Sequence, residues 1–123
     1  MLNTVLIDDD EDIRSLISAF LPEEKYFVFS TSNGNAGLEY IKNNDVDLLI
    51  TDILMPDISG LEVINKATGI NPKLKIIAIS GGGAIDTEQY FSLASKLGAQ
   101  KVLSKPFVAE DLLSILKELF PKS

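Results

Sequence analysis

Acidic side chains end two of the apolar runs in this chain, and they are its best candidates for chemistry. Val5-Leu6-Ile7 leads directly into Asp8-Asp9-Asp10, and the run from Asp47 to Thr51 leads into Asp52. Runs of this length and composition are typical of buried strands, and in an open parallel sheet the residues after the strand C-termini face the ligand crevice. We therefore expect Asp8, Asp9 and Asp52 to converge at one edge of a sheet.

A cluster of carboxylates needs a compensating positive charge. Crowded carboxylates repel one another, and a bound cation, a raised pKa or a nearby ammonium group relieves that repulsion. Lys105 directly follows a third apolar stretch, Val102-Leu103-Ser104, and can supply the ammonium group. An acidic pocket with one lysine and only oxygen ligands predicts Mg²⁺ and phosphate chemistry.

The run from Asp8 to Asp12 also has a simpler interpretation, as the solvated start of a helix. The helix dipole favours negative side chains in the first turn, and we expect this capping role for Asp10 and Asp12. We expect the functional role for Asp8 and Asp9, because burying an unpaired carboxylate at a strand end is costly.

The loop after Asp52 contains a proline, a serine and a glycine before the next helix. Such a loop can turn the backbone carbonyl of Leu54 toward a cation beside Asp52. Mg²⁺ prefers about six oxygen ligands and keeps several waters, so one or two carboxylates and a carbonyl suffice. Asp57 is a competing carboxylate, but it follows a proline and is typical of a solvated turn.

Ser80 ends the predicted fourth strand and is followed by three glycines. A hydroxyl group there can hydrogen-bond a phosphoryl oxygen, and glycines let backbone N–H groups approach an anion. A Ser-Gly pair is also common at the start of an ordinary loop. The segment is not a P-loop, because the lysine and hydroxyl that should follow the glycines are missing.

Strand-like and helix-like segments alternate along the whole chain. The predicted strands are Thr4–Asp8, Tyr26–Ser30, Asp47–Asp52, Leu74–Ser80 and Lys101–Ser104. The predicted helices are Glu11–Phe20, Ala36–Asn43, Leu61–Thr68, Glu88–Leu97 and Ala109–Phe120. Five repeats of strand then helix predict an α/β fold whose parallel sheet is covered by helices on both faces. The glycines expected in turns between these elements are Gly34, Gly60, Gly69 and Gly98.

Composition excludes several classes of function. The 123 residues are the size of one domain, and 46% hydrophobic content is typical of a folded chain. Eighteen acidic against 11 basic residues argue against direct contact with nucleic acid. Cysteine and histidine are absent, which removes thiol chemistry and any phosphohistidine on this chain. No apolar stretch is long enough for a membrane span or a signal peptide, so we expect a cytoplasmic location without membrane contact.

These residues in this order resemble the receiver domain of bacterial two-component response regulators. The matching motifs are Asp8-Asp9-Asp10, Asp52 with Met55-Pro56 and Gly60, Ser80, and Lys105-Pro106-Phe107. The resemblance implies a doubly wound five-stranded sheet in the flavodoxin-like order 2-1-3-4-5. It also implies that residues 1–123 form a single receiver domain, with no output domain in this chain.

The resemblance further implies the chemistry of the site. Asp52 would accept a phosphoryl group from a phosphohistidine on a partner kinase or phosphotransfer protein, and the switched domain would act on a downstream protein target. The implied Mg²⁺ ligands are Asp9, Asp52 and the carbonyl of Leu54, with Asp8 acting through water. Ser80 and Lys105 would contact the phosphoryl oxygens.

The chain departs from the family pattern at two places. Val102 stands where many members carry an aromatic residue that moves inward with the hydroxyl of strand four, so the usual aromatic switch lacks its side chain. The segment Gly81-Gly82-Gly83-Ala84 consists only of residues with very small side chains. We expect it to become ordered on phosphorylation.

Two alternatives compete with a phospho-accepting signalling domain. One is an Mg²⁺-dependent phosphatase with an aspartate nucleophile. Such enzymes resembling the haloacid dehalogenase family carry a second aspartate two residues after the nucleophile, where this chain has Leu54, and they need room for a cap. The other is a receiver-like binding module that is no longer phosphorylated, against which the intact set of Asp9, Asp52, Ser80 and Lys105 argues.

The fourth predicted helix suggests an output surface. Its apolar stripe of Tyr90, Leu93, Ala94 and Leu97 is expected to face the sheet, which turns Phe91 away from it. In the last helix the matching stripe is Leu112, Leu116 and Leu119, with Leu113 or Ile115 at its margin. We expect phosphorylation-dependent self-association or target binding through Phe91, as the resemblance also implies for this face. The alternative is that Phe91 packs under the Gly81–Ala84 loop.

Overall fold

Five strands and five helices alternate along the chain, as the sequence pattern predicts. The computed structural model describes residues 1–81 and 87–122. The strands are β1 Leu2–Ile7, β2 Tyr26–Thr31, β3 Leu48–Asp52, β4 Lys75–Ser80 and β5 Lys101–Ser104. The helices are α1 Glu11–Phe20, α2 Gly34–Asn43, α3 Gly60–Ile70, α4 Thr87–Leu97 and α5 Ala109–Leu119. Most of the predicted Gly81–Ala84 segment lies outside the described residues.

The five strands form one parallel sheet in the order β2-β1-β3-β4-β5, which confirms the predicted topology. Thr51 on β3 lies opposite Ile7 on β1 and Ala78 on β4. Ser80 on β4 lies opposite Ser104 on β5. The C-terminal ends of β1, β3, β4 and β5 therefore meet along one edge of the sheet.

Both faces of the sheet are covered, which explains the continuous apolar runs of the central strands. On β3, Leu49 packs into the core beneath α2, α3 and α4. Its neighbours Leu48 and Ile50 pack into the core beneath α1 and α5. Strand residues alternate between the two faces, so consecutive apolar residues in a central strand serve both cores.

Two helices begin earlier than predicted because side chains cap them. Asn33 accepts the N–H of Ala36 at the start of α2, and Ser59 accepts the N–H of Leu61 at the start of α3. Such caps satisfy backbone donors that the first helical turn leaves unpaired. Gly34 and Gly60 are therefore helical, and Gly69 is helical because α3 continues to Ile70, so the prediction of turns was wrong for these three glycines. Gly98 does lie in a turn, with φ of 133°.

Gly60 is required by close packing. A β-carbon on this residue would overlap the backbone carbonyl of Asp52 and the Cα of Ile53. The N–H of Gly60 instead donates to the Ile53 carbonyl at 2.7 Å. The first residue of α3 is thereby held directly against the end of β3.

One residue of the apolar stripe predicted for α4, Leu93, does not face the core. Ala94 is fully buried, and Tyr90 and Leu97 are half-buried as predicted, but Leu93 is 45% exposed. Phe91 is half-buried and packs against the core beneath α2, α3 and α4. At about 100° per residue, Phe91 lies about 60° around the helix from Ala94 and Leu93 about 100° from it. The buried arc is therefore shifted toward Phe91.

The orientation of α5 agrees with the prediction. Leu112 and Leu116 are buried, and Leu119 packs against the same core. Leu113 is 37% exposed at the margin of that stripe. Among the described residues, no helix is both long and apolar enough to cross a membrane.

Candidate functional site

The turn from β1 into α1 carries two of the predicted carboxylates. Asp8 is completely buried, and its Oδ1 accepts the N–H of Asp10 at 2.9 Å. Asp9 is exposed. Asp10 caps α1 by accepting the N–H of Asp12 at 2.9 Å, which confirms its predicted structural role.

Asp52 ends β3 and brings the third carboxylate to the same edge of the sheet. It is only 5% exposed, and the N–H of Leu54 lies 3.4 Å from its Oδ1. Carboxylate oxygens of Asp8, Asp9 and Asp52 all lie within 4.8 Å of one another. The three side chains therefore converge as predicted. Asp57, the competing carboxylate, is exposed.

Lys105 supplies the predicted ammonium group. Its Nζ lies 3.3 Å from Oδ2 of Asp8 and 3.5 Å from Oδ2 of Asp52. The side chain is 22% exposed, so it reaches the pocket from the rim. The Lys105–Pro106 peptide is cis.

Ser80 is buried beside this lysine. The backbone N–H of Lys105 donates to the Ser80 carbonyl at 2.8 Å, which ties the end of β4 to the residue after β5. The Ser80 hydroxyl lies 3.4 Å from the Gly81 carbonyl, near the limit of a hydrogen bond. Such a loosely held hydroxyl can turn toward a group that enters the pocket.

Burial and neighbouring negative charge together determine the electrostatics of the pocket. Burial, and next the negative charge of Asp8, raise the pKa of Asp52 to about 6. Burial also raises the pKa of Asp8, although the Asp10 N–H and Lys105 oppose the change. Burial alone would lower the pKa of Lys105, but attraction to Asp52 and Asp8 outweighs it and raises that pKa. The lysine is thus held charged while the carboxylates resist ionising together.

The residues fit a divalent cation. Oδ2 of Asp8 is buried and, among the described residues, has no hydrogen-bond partner. The nearest positive charge to that oxygen is the ammonium group of Lys105, which forms an ion pair with it at 3.3 Å. Two buried carboxylates and one exposed carboxylate offer only oxygen ligands, the set that Mg²⁺ prefers.

The sequence analysis missed Arg14. Its Nη1 donates a 2.7 Å hydrogen bond to the backbone carbonyl of Asp8. The available signal was its place on α1, one turn after Asp10, from which a long side chain can reach back toward the end of β1.

The sequence analysis also missed an apolar groove next to Lys105. Its walls are Ile13 and Leu16 of α1 and the segment from Pro106 to Phe107, and it encloses about 420 Å³. Leu16 is 40% exposed there. The groove borders the pocket and is continuous with it through Lys105.

Comparison with known proteins identifies the family. The model of the response regulator receiver domain matches residues 4–117. The chain belongs to this family. The receiver protein CpdR of Brucella abortus is 34% identical over 97% of this chain and 97% of its own length.

Solved receiver domains have the same fold. One from Methanospirillum hungatei superposes with a TM-score of 0.88 at 28% identity, covering 99% of this chain and 95% of its own. The beryllofluoride-activated NtrC4 receiver domain, solved as a dimer, has a TM-score of 0.87 at 31% identity and covers 99% and 98%. The receiver domain described here is therefore a phosphorylation-controlled signalling domain of a two-component system.

Asp9→Asn is expected to weaken Mg²⁺ binding while leaving the receiver domain folded or slightly more stable. The substitution removes one of three mutually repelling carboxylates, and with it one of the three candidate oxygen ligands for the cation. Thermal melts with and without Mg²⁺ measure both effects, with Asp57→Asn as the matched exposed control. An Asp9→Asn protein that Mg²⁺ stabilises as much as wild type would show that Asp9 is not a ligand.

Proposed function

We propose that Asp52 is the residue that accepts the phosphoryl group. The observation that carries the proposal is a buried carboxylate at the end of β3, 3.5 Å from the ammonium group of Lys105 and close to two further carboxylates. A nucleophilic carboxylate beside a fixed positive charge is the arrangement that phosphoryl transfer requires, because catalysis there is mostly positioning and charge neutralisation.

In the proposed transfer, a carboxylate oxygen of Asp52 attacks the phosphorus of a phosphohistidine. The new O–P bond forms as the N–P bond breaks, and the electron pair of that bond leaves with the donor imidazole. With a pKa of about 6, Asp52 is mostly ionised near neutral pH and is competent as the nucleophile. Lys105 neutralises charge on the phosphoryl oxygens, and the Ser80 hydroxyl donates to one of them.

Asp8, Asp9, Asp52 and the Leu54 carbonyl are the proposed groups for Mg²⁺, with Asp8 acting through water. Bound Mg²⁺ supplies positive charge that offsets repulsion between the carboxylates and an entering phosphoryl group. The chain's own contribution is to hold Asp8 rigidly, through the Asp10 N–H, so that its buried Oδ2 faces the pocket. The fold thus places the three carboxylates for cation binding before the cation arrives.

Phosphoramidate tests the proposal because its N–P bond resembles that of phosphohistidine. Intact-mass measurement should show one added phosphoryl group in the presence of Mg²⁺ and almost none after chelation with EDTA. The loss on chelation is expected because the carboxylates would then repel the anionic donor without compensation. Equal phosphorylation with and without Mg²⁺ would contradict the cation site.

The proposed donor is a histidine kinase or a histidine phosphotransfer protein. Histidine is absent from these 123 residues, so the donor imidazole must lie outside this domain. A protein that delivers a phosphoryl group past Lys105 must cover the rim of the pocket, where the groove of Ile13, Leu16 and Phe107 offers it apolar surface. We place the domain in the cytoplasm, because such a kinase draws its phosphoryl group from ATP.

The proposed output is a change in the face formed by α4, β5 and α5. Ser80 is bonded through its carbonyl to the backbone after β5, and on β5 the half-buried Val102 lies opposite Ala78 and packs against the core. A hydroxyl drawn toward the phosphoryl group would therefore alter packing next to Val102. Rotation of a valine side chain displaces fewer atoms than rotation of an aromatic one. We therefore expect the change in this face to come mainly from shifts of the backbone.

Activation is proposed to promote self-association through this face. The similar NtrC4 receiver domain is a dimer in its beryllofluoride-activated form. The exposed apolar residue on α4 is Leu93 and not the predicted Phe91. Sedimentation of beryllofluoride-treated protein should show a dimer that Leu93→Ser weakens strongly without lowering the melting temperature. Phe91→Ser should instead lower the melting temperature, because it removes a side chain packed on the core.

Leu16→Ser is the matched control, since Leu16 is 40% exposed on α1. This variant should dimerise like wild type. An activated wild type that stays monomeric, or a Leu93→Ser protein that still dimerises, would contradict the proposed surface.

A further inference from the structure

Arg14 is placed unusually for a cationic side chain. It is the only arginine in the chain, and it is half-buried on α1 next to an acidic cluster. Among the described residues, no carboxylate lies within ion-pair distance of it. Its Nη1 donates instead to the backbone carbonyl of Asp8, at 2.7 Å. The charged group is therefore used to hold a piece of main chain.

That main chain is the peptide that joins two of the proposed cation ligands. The Asp8 carbonyl belongs to the peptide between Asp8 and Asp9, so its orientation fixes the directions in which the two side chains leave the turn. The turn is also restrained by the N–H of Asp10, which donates to Oδ1 of Asp8, and by the N–H of Asp8, which donates to the Thr31 carbonyl at 3.2 Å. Without Arg14, the carbonyl would lose its charged donor and the peptide could rotate.

We infer that Arg14 is a positioning residue for the cation site, because its bond to the Asp8 carbonyl directs both the Asp8 and the Asp9 carboxylates toward Asp52. This inference rests on the Mg²⁺ binding proposed above. It assigns Arg14 no contact with the cation or with the phosphoryl group. The guanidinium group suits this role because its long, planar fork reaches the carbonyl and stays charged at every physiological pH.

Charge and position predict opposite effects when Arg14 is replaced. Removing a positive charge beside the carboxylates would, by Coulomb attraction alone, make the site bind Mg²⁺ more tightly. Losing the orientation of the Asp8–Asp9 peptide would weaken binding, and groups that orient metal ligands are commonly worth about 10-fold to 100-fold in affinity. The direction of the change therefore separates the two effects.

The test is calorimetric titration of the full chain with Mg²⁺, well below the melting temperature. Arg14→Met is expected to bind about tenfold more weakly than wild type. Arg14→Lys keeps the charge on a shorter side chain and should also bind more weakly than wild type. Lys25→Met removes the same charge at the start of β2, near the opposite edge of the sheet, and should bind like wild type.

The possible results are distinct. An Arg14→Met protein that binds Mg²⁺ as tightly as wild type, or more tightly, overturns the inference. So does an Arg14→Lys protein with wild-type affinity, because the guanidinium bond to the Asp8 carbonyl would then not be what positions the ligands. A wild type that binds no Mg²⁺ overturns both this inference and the proposed cation site, whereas an Arg14→Met protein that binds Mg²⁺ with undiminished affinity overturns this inference alone.

Hydrogen exchange in the Mg²⁺-free protein provides a second readout. If Arg14 holds the turn, the amide of Asp10 should exchange roughly tenfold faster in Arg14→Met, because its bond to Asp8 opens more often. The amide of Ala36, capped by Asn33 at the start of α2, should be unchanged. Unchanged exchange at Asp10 would overturn the inference even if Mg²⁺ binding were weakened.

Discussion

Asp52→Asn protein is expected to take up no phosphoryl group from acetyl phosphate and Mg²⁺, whereas wild type takes up one. The amide keeps the shape of the side chain but lacks the anionic oxygen that attacks phosphorus. Asp52 is the last residue of β3, is 5% exposed and lies 3.5 Å from the ammonium group of Lys105. Intact-mass measurement distinguishes the two proteins directly, and the expected loss is essentially complete.

Asp57→Asn is the matched control for this experiment. Asp57 is an exposed aspartate in the loop after β3, and its replacement should leave phosphorylation as in wild type. The assignment of Asp52 fails if Asp52→Asn still gains the phosphoryl group. If Asp57→Asn no longer gains the phosphoryl group, the acceptor is Asp57 in the loop.

The same substitution is expected to stabilise the Mg²⁺-free protein at neutral pH. The pKa of Asp52 rises from 3.8 to about 6 on folding, first because of burial and then because of the charge of Asp8. The folded state therefore binds the proton more tightly than the unfolded state, so stability falls as pH rises from 3.8 to about 6. Above that range the full penalty applies, on the order of 2 to 3 kcal/mol.

Asp52→Asn removes this penalty because the amide does not ionise. Urea unfolding near neutral pH should find the variant about 2 to 3 kcal/mol more stable than wild type, and the difference should shrink as the pH is lowered toward 3.8. Mg²⁺ should stabilise wild type and narrow the gap. Asp57→Asn should show no comparable gain. An Asp52→Asn protein no more stable than wild type would show that ionised Asp52 costs the folded state little free energy.

Stability and function are therefore opposed at Asp52. The buried, crowded carboxylate costs folding free energy, and the same crowding attracts a cation and holds Lys105 charged. On the proposed assignment, Asp52→Asn is expected to lose phosphoryl transfer and to gain a more stable fold. Such an exchange is typical of sites whose residues are selected for chemistry.

Much of the site could be predicted from the sequence, because strand ends in a parallel sheet share one edge. Each of Asp8, Asp52 and Ser80 stands at or just past the end of an apolar run, and that position alone determined where each would lie. The periodic apolar residues likewise predicted the existence and order of all ten elements. Lys105 followed by the same argument, since it comes directly after β5.

The burial of individual helix residues depended on tertiary packing. The sequence of α4 contains apolar residues on an arc wider than the helix can bury. Contact with the core selected Phe91 and Ala94 and left Leu93 exposed. Helical periodicity defines which residues share a face, but it does not say how far that face rotates against a neighbour.

Close approaches between distant segments were likewise decided only by the folded chain. Gly60 is a plausible turn glycine in the sequence, and only the contact of α3 with the Asp52 carbonyl shows why a side chain does not fit. The sequence by itself determined which groups meet at the edge of the sheet, because chain order and strand polarity suffice for that. The bond of Arg14 to the Asp8 carbonyl was decided by the tertiary structure, since it depends on the angle between β1 and α1 and on the path of a flexible side chain.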